Sequence, residues 1–218
     1  MTIAITGATG HLGRLAIAAL KAKGAMPIAL VRDPAKAADL KVETRAFDYT
    51  SADPAALTGV DTLVLISSND FNDRAGQHRN VIAAAKTAGV KRLIYTSILK
   101  GDQSPMILAA DHIATEAAIR DSGIPATILR NGWYTENYTG ALAAVVQHGA
   151  IIGAAGAGRV NSAARKDYAE AIAVTALDAD GSPTQVHDQG DVTAAADDTC
   201  TALLYARGPS APYMKERV

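Results

Sequence analysis

Short apolar, β-rich runs alternate with longer alanine-rich amphipathic stretches along most of the chain, and this alternation predicts its elements. Residues 2–6 read as a strand, 11–23 as a helix, 27–31 as a strand and 34–40 as a short helix opened by Pro34. Residues 42–47 follow as a strand, 52–58 as a short helix, 61–67 as a nearly continuous apolar strand, and 79–88 as a helix closed by Gly89. A strand over 91–96, a helix over 111–122 closed by Gly123, and a strand over 126–129 complete the regular part. Strands without a polar face, alternating with helices, require helices on both sides of a parallel sheet. The expected class is therefore α/β, with a doubly wound parallel sheet.

After Arg130 the beat loosens. Residues 131–138 are aromatic and polar, 141–148 look helical, 153–158 are glycine-rich, 166–178 make another good helix, 185–188 read as a strand and 194–206 as a weaker helix. The change of texture divides the chain into a first body, 1–130, and a small lobe, 131–218. No internal repeat interrupts either part.

Composition narrows the function classes. Hydrophobic residues make up 49% and charged residues 20%, enough apolar surface for a core without the charge excess of a disordered chain. A formal net charge of -1 and the lack of any Lys/Arg block argue against nucleic-acid binding and for a small ligand. Cys200 is the only cysteine, so neither an internal disulfide nor a cysteine metal site is expected, and its ordinary reading is a small buried residue. No basic region precedes an apolar run at the start, and no stretch approaches the ~20 apolar residues of a membrane span, so a cytoplasmic protein is expected.

The sharpest motif is Gly7-Ala-Thr-Gly-His-Leu-Gly13, which leaves the first strand and enters the first helix. A pyrophosphate needs a tight turn, close backbone N–H groups and a helix N-terminus whose partial positive charge faces the anion. Glycines leave that room, so Gly7, Thr9, Gly10, His11, Leu12 and Gly13 are expected to hold a dinucleotide in an NAD(P)-binding Rossmann fold. Arg32 ends the second strand, where an acidic residue would bond both ribose hydroxyls of NAD and an arginine favours the 2′-phosphate of NADPH. NADPH is the expected cofactor, although Asp33 follows directly and is placed to compete for Arg32. Asp48, closing the third strand, reads either as an acceptor for the adenine amine or as a helix N-cap.

Ser67, Ser68 and Asn69 close the fourth strand, and Thr96 and Ser97 the fifth. In open α/β sheets the carboxyl ends of strands border the ligand crevice, so these hydroxyls are candidates for the nicotinamide ribose or the substrate, or are ordinary loop caps. Arg74 and Gln77, in the polar stretch 70–77, are within reach of a phosphate or ribose, or belong to a solvated loop.

The glycine loop and Asn131-Gly-Trp-Tyr-Thr-Glu-Asn-Tyr138, together with Leu65-Ile-Ser-Ser68, Gln77-His-Arg-Asn80, Tyr95-Thr-Ser97, Asp121-Ser-Gly123 and Leu129-Arg-Asn-Gly-Trp-Tyr134, resemble the NmrA-like branch of the atypical short-chain dehydrogenases/reductases. The likeness runs from Met1 to about Asp178; beyond it the match is faint, around residues 185–191, and the C-terminal lobe looks shortened or divergent. The resemblance implies NADPH on the glycine loop and Arg32, and a flat aromatic acceptor beside the Asn131 to Tyr138 segment. Asn131 and Tyr134 are the candidate catalytic residues there. Trp133, Tyr134 and Tyr138 read as stacking surfaces or as core.

One departure bears on mechanism. The Tyr-x-x-x-Lys pair that relays protons in ordinary members of the superfamily is missing, and His112 stands where the lysine is expected. His112 is the candidate proton donor, with Glu116 one turn along the same helical face and able to pair with it. Hydride addition to a quinone yields a resonance-stabilised hydroquinone anion, which water can protonate, so positioning alone can supply most of the catalysis. The reading is an NADPH-dependent oxidoreductase acting on a quinone or dye-like acceptor. The alternative is a dinucleotide-binding redox sensor that does not turn over. A carbonyl or double-bond reductase is disfavoured by the missing lysine.

Overall fold

The computed structural model describes residues 1–150, 160–178 and 185–189. Six strands come in the predicted order: β1 (Ile3–Ile5), β2 (Ile28–Val31), β3 (Thr44–Ala46), β4 (Thr62–Leu65), β5 (Arg92–Ile98) and β6 (Ala126–Asn131). β7 (Trp133–Tyr134) and β8 (Ser162–Ala163) form a separate two-stranded ribbon, and β9 (Gln185–Gln189) returns to the main sheet. That sheet has the order β3-β2-β1-β4-β5-β6-β9, with every pair parallel.

The helices are α1 (His11–Ala22), α2 (Arg74–Thr87), α3 (Ala109–Ser122), the short α4 (Glu136–Thr139) and α5 (Leu142–His148), and α6 (Arg165–Leu177). They lie on both faces because β1 and β4 are buried on both. On one face Leu12, Ala16, Ile17 and Leu20 of α1 share a core with Tyr168, Ala169, Ile172, Ala173 and Ala176 of α6. On the other, Val81, Ile82 and Ala85 of α2 and Ile119 of α3 pack over Leu63, Leu93 and Ile128. This is the doubly wound Rossmann arrangement, and its strand order reverses between β1 and β4, where such folds open a crevice at the carboxyl ends.

Three local details differ from the pattern reading. The second main helix starts at Arg74, not at 79, because the Asp73 carboxylate accepts from Gly76 N–H at 3.2 Å and caps it. Its first turn carries buried Arg74, Gln77 and His78, a polar inner face that apolar periodicity cannot reveal. The stretches 34–40, 49–51 and 54–57 are 3-10 turns, capped by Asp33, Asp48 and Asp53. Past Arg130 the chain still builds the main body, since α6 packs on α1 and β9 pairs with β6. The glycine-rich stretch 153–158, the helix expected over 194–206, and Cys200 lie outside the described residues.

Candidate active site

A cleft of about 1320 Å³ opens along the carboxyl ends of β1, β2, β4, β5 and β6. Every candidate residue named from the sequence borders it.

At one end the three glycines differ in what they do. Gly7 has φ +60°, the left-handed turn that glycine adopts without strain. A Cβ on Gly13 would stand 2.3 Å from the Gly7 carbonyl oxygen and 2.8 Å from Ala8 Cα, so this glycine lets α1 close on the loop. A Cβ on Gly10 would meet only the Gly7 oxygen, at 3.2 Å, and otherwise project into the open cleft. The first helical bond of α1 is Arg14 N–H to Gly10 O, and no side chain caps the helix, so the N–H groups of His11, Leu12 and Gly13 are left for a ligand. Thr9, Gly10 and His11 are exposed along the rim. These uncapped donors and the space above Gly10 fit a dinucleotide pyrophosphate.

Arg32 leaves β2 exposed at the same end and makes no hydrogen bond or ion pair among the described residues. Asp33 does not compete for it: its carboxylate accepts from Ala35 N–H at 3.0 Å. Asp48 also serves as a cap, accepting from Thr50 N–H and Oγ1–H, both at 2.9 Å. The Thr50 backbone bond, against a smaller effect of burial, holds its carboxyl below the usual range, with help from the Thr50 hydroxyl and the Arg32 charge.

The middle of the cleft is a hydrogen-bonded floor. Ser67 N–H donates to Thr96 Oγ1 at 2.9 Å, joining β4 to β5. The Ser68 hydroxyl donates to Gln77 Oε1 at 2.7 Å and accepts from Asp70 N–H at 3.1 Å, while Asn69 stays exposed. Arg74 is buried rather than solvated: its Nε donates to the Ser68 carbonyl at 2.6 Å, and Nη1 sits 3.6 Å from Asp111 Oδ2. Ser97 borders the cleft too, but its hydroxyl is committed to Glu116 Oε1, to which it donates at 2.6 Å.

His112 comes to the cleft from α3, and its partner is not Glu116. Its Nδ1 lies 2.7 Å from the hydroxyl of Tyr95, a wholly buried residue of β5. Glu116 is taken by Arg130, which donates from Nε at 2.9 Å and Nη2 at 2.8 Å, and by Ser97. The i,i+4 spacing placed both on one helix, but a bidentate guanidinium from β6 outbids an imidazole for a carboxylate. Burial, then the Arg74 charge, lowers the His112 pKa to about 4, against a raising effect of Glu116. At neutral pH the ring is uncharged, and the acid expected at this position is a neutral imidazole.

At the other end stands an aromatic wall. Trp133 and Tyr138 are 38% and 50% exposed and border the cleft, so they are not core residues. Tyr134 is half-buried and packs edge-on against Tyr168 at 5.1 Å between centroids. Asn131 Nδ2 donates to the Tyr134 hydroxyl at 3.2 Å, and its buried Oδ1 has no partner.

Three contributors were missed in the sequence. The Tyr49 hydroxyl lies 2.7 Å from Thr6 Oγ1 and 2.8 Å from the Ile66 carbonyl, bracing the strand ends beneath the glycine turn. Arg165 places its guanidinium 4.7 Å over the Tyr134 ring, and Lys100, at φ 67°, borders the same end. Each comes from a 3-10 turn, a helix start or a loop whose direction only packing decides; the position of Arg165 just before the 166–178 helix was the sole available hint. Among the described residues no cluster of three or more His, Cys, Asp or Glu could hold a metal ion, and no helix is long and apolar enough to cross a membrane.

Residues 7–180 match the model of a family described as NAD(P)H-binding. The chain is 52% identical over 180 residues to quinone oxidoreductase 2 of Escherichia coli, a match that covers 78% of this chain and 62% of that protein. It thus spans less than two thirds of that relative's length. Among solved structures it superposes on the NADPH-dependent quinone oxidoreductase of Escherichia coli complexed with NADPH, with TM-score 0.80, 48% identity, and coverage of 86% of this chain and 68% of that one. The triphenylmethane reductase of Citrobacter sp. complexed with NADP(H) follows at TM-score 0.78 and 40% identity, covering 86% and 69%. With a glycine cradle at the first strand-to-helix crossing and a family match over most of its length, this chain belongs to the NAD(P)H-binding family.

Proposed function

We propose that the chain is an NADPH-dependent oxidoreductase that delivers hydride to a quinone or a similar flat conjugated acceptor. The observation that carries this reading is one continuous cleft joining an anion cradle at one end to an aromatic wall at the other. The names of the relatives, a quinone oxidoreductase and a dye reductase, support it.

When bound, NADPH supplies the hydride. Gly7, Thr9, Gly10, His11, Leu12 and Gly13 would form the cradle of the pyrophosphate, with the free N–H groups of His11, Leu12 and Gly13 as its donors, and Arg32 would hold the 2′-phosphate. Ser67, Ser68, Asn69, Arg74 and Thr96 shape the floor under the nicotinamide ribose. Trp133 and Tyr134 give the acceptor a flat surface, and Asn131 orients it through the carboxamide atoms left over from its bond to Tyr134. His112 faces the acceptor as a neutral ring. The substrate-side portion in this reading is the wall between Asn131 and Arg165, mounted on the sheet body. The partner is a small molecule, neither nucleic acid nor membrane, and the cytoplasm, where NADPH is kept reduced, is the compartment.

The test is loss of the reduced-nicotinamide absorbance with a small panel of quinones, using NADPH and NADH in parallel. Turnover with NADPH preferred is expected. Tight NADPH binding with unchanged absorbance across the panel would reject the enzyme reading and assign a dinucleotide sensor instead.

A further inference from the structure

We infer that Tyr95 is a positioning residue for His112: it holds the imidazole as the Nε2–H tautomer, so that a neutral ring offers one hydrogen-bond donor to the acceptor end of the cleft. The inference rests on the hydride-transfer reading above for its purpose, though not for its geometry.

The Tyr95 hydroxyl is sealed inside the protein and has one proton to place. Its 2.7 Å contact with His112 Nδ1 is a short O–H···N distance. The Thr115 and Ser67 hydroxyls also lie against the Tyr95 oxygen, but both are engaged elsewhere. Thr115 gives its proton to the Asp111 carbonyl at 2.8 Å, and Ser67 directs its own toward the Ser68 carbonyl at 3.3 Å. Thr115 Oγ1 already receives a proton from His78. That follows because His78 Nε2 accepts from Ser68 N–H at 2.9 Å, which leaves the His78 proton on Nδ1, 2.8 Å from Thr115 Oγ1. The Ser67 and Thr115 oxygens keep a lone pair each, but His112 Nδ1, at 2.7 Å, is the strongest base against the Tyr95 oxygen, and a phenol donating to a pyridine-type nitrogen pairs the stronger acid with the stronger base.

With Nδ1 accepting, the proton of the neutral ring sits on Nε2. Nε2 has no hydrogen-bond partner among the described residues, yet it is not among the side-chain atoms sealed from solvent, and the ring borders the cleft. The donor therefore faces the opening. Hydride adds an electron pair to the acceptor and charge collects on its oxygen, where a preset donor stabilises it. No proton leaves the imidazole; the reduced acceptor takes its proton from water.

Two-bond 1H–15N correlation spectra of histidine-labelled protein without NADPH or acceptor report the tautomer directly. His112 is expected as Nε2–H in the wild type and as a mixture of tautomers in Tyr95→Phe. A wild-type ring protonated on Nδ1, or an unchanged tautomer in Tyr95→Phe, would overturn the inference, whether or not the protein reduces quinones. Turnover supplies the second arm. His112→Gln, whose amide nitrogen approximates Nε2, is expected to lose less kcat than His112→Asn and His112→Ala, which lose about two- to tenfold, the range of one neutral hydrogen bond. Equal loss in all three variants, each with unaltered NADPH affinity, also overturns it. If no variant and no wild type turns over any quinone, the proposed function fails while the tautomer assignment stands or falls on the spectra.

Discussion

Arg32 shows how much one side chain can decide when its surroundings leave it alone. It lies at the glycine end of the cleft, its neighbour Asp33 is occupied as a helix cap, and Asp48 is held by Thr50. A charge-assisted bond to a 2′-phosphate contributes ~1.5–3 kcal/mol, at ~1.4 kcal/mol per tenfold in affinity. Arg32→Ala should therefore weaken NADPH between about ten- and a hundredfold and leave NADH unchanged, as isothermal calorimetry with both cofactors would show. Equal weakening of both would make Arg32 a support of the loop or adenine and remove the basis for NADPH preference. The glycines make a related point. Their spacing was legible in the sequence, but only the packing separates Gly13, closed against backbone at 2.3 Å, from Gly10, which leaves room for a ligand.

Between elements, the buried carboxylate of Glu116 pins α3 to β5 and β6 through Ser97 and Arg130. The Arg130 guanidinium in turn packs against Gly101, where an added Cβ would lie 2.4 Å from it. Burial pushes the Glu116 carboxyl up, but the Arg130 and Ser97 hydrogen bonds and the Arg130 and Arg120 charges outweigh it, and the net pKa is below its ordinary value of 4.5. A depressed folded-state pKa stabilises the fold above the unfolded value of ~4.3, and that contribution is lost as pH falls through the folded value. Glu116→Gln should cost stability at neutral pH, toward the lower end of the ~3–5 kcal/mol for breaking a buried pair, since Arg130 keeps some access to water. Urea denaturation at successive pH values should show the gap between wild type and variant narrowing below about pH 4. A gap independent of pH would mean the pair does not carry the linkage. Helical spacing had suggested His112 as the partner of Glu116; both took partners from the sheet instead, because a helix face meets whatever strand it covers and i,i+4 geometry is only one option.

Across the whole molecule, α1 and α6 share one core although 142 residues of chain lie between the end of one and the start of the other. Small side chains on α6, Ala169, Ala173 and Ala176, sit in that core beside Ile17 and Leu20. The aromatic wall is strung between β6 and α6, and β7 pairs with β8 immediately before α6 begins. The wall should therefore unfold with the sheet. Trp133 is the only tryptophan, so its fluorescence reports the wall while far-UV circular dichroism reports the whole chain. Coincident urea midpoints from the two probes are expected. An earlier fluorescence transition would show the wall to be an independent lobe.

What the sequence determined by itself is what depends on neighbours along the chain. The order of strands and helices, the glycine turn entering α1 and the caps at Gly89 and Gly123 all follow from local periodicity, backbone freedom and turn chemistry. The part of the cleft at the strand ends also followed, since a parallel doubly wound sheet must bring the ends of β1, β2, β4, β5 and β6 to one edge, whereas Tyr49, Lys100 and Arg165 did not. Tertiary structure decided the partners within it. Tyr95 rather than Glu116 meets His112, Arg74 turns inward to Ser68, and Arg165 reaches Tyr134 across 31 residues of sequence. These pairings depend on which side chains from different elements reach the same point, and on which donor and acceptor lose least water by joining there; no pattern along one element holds that information.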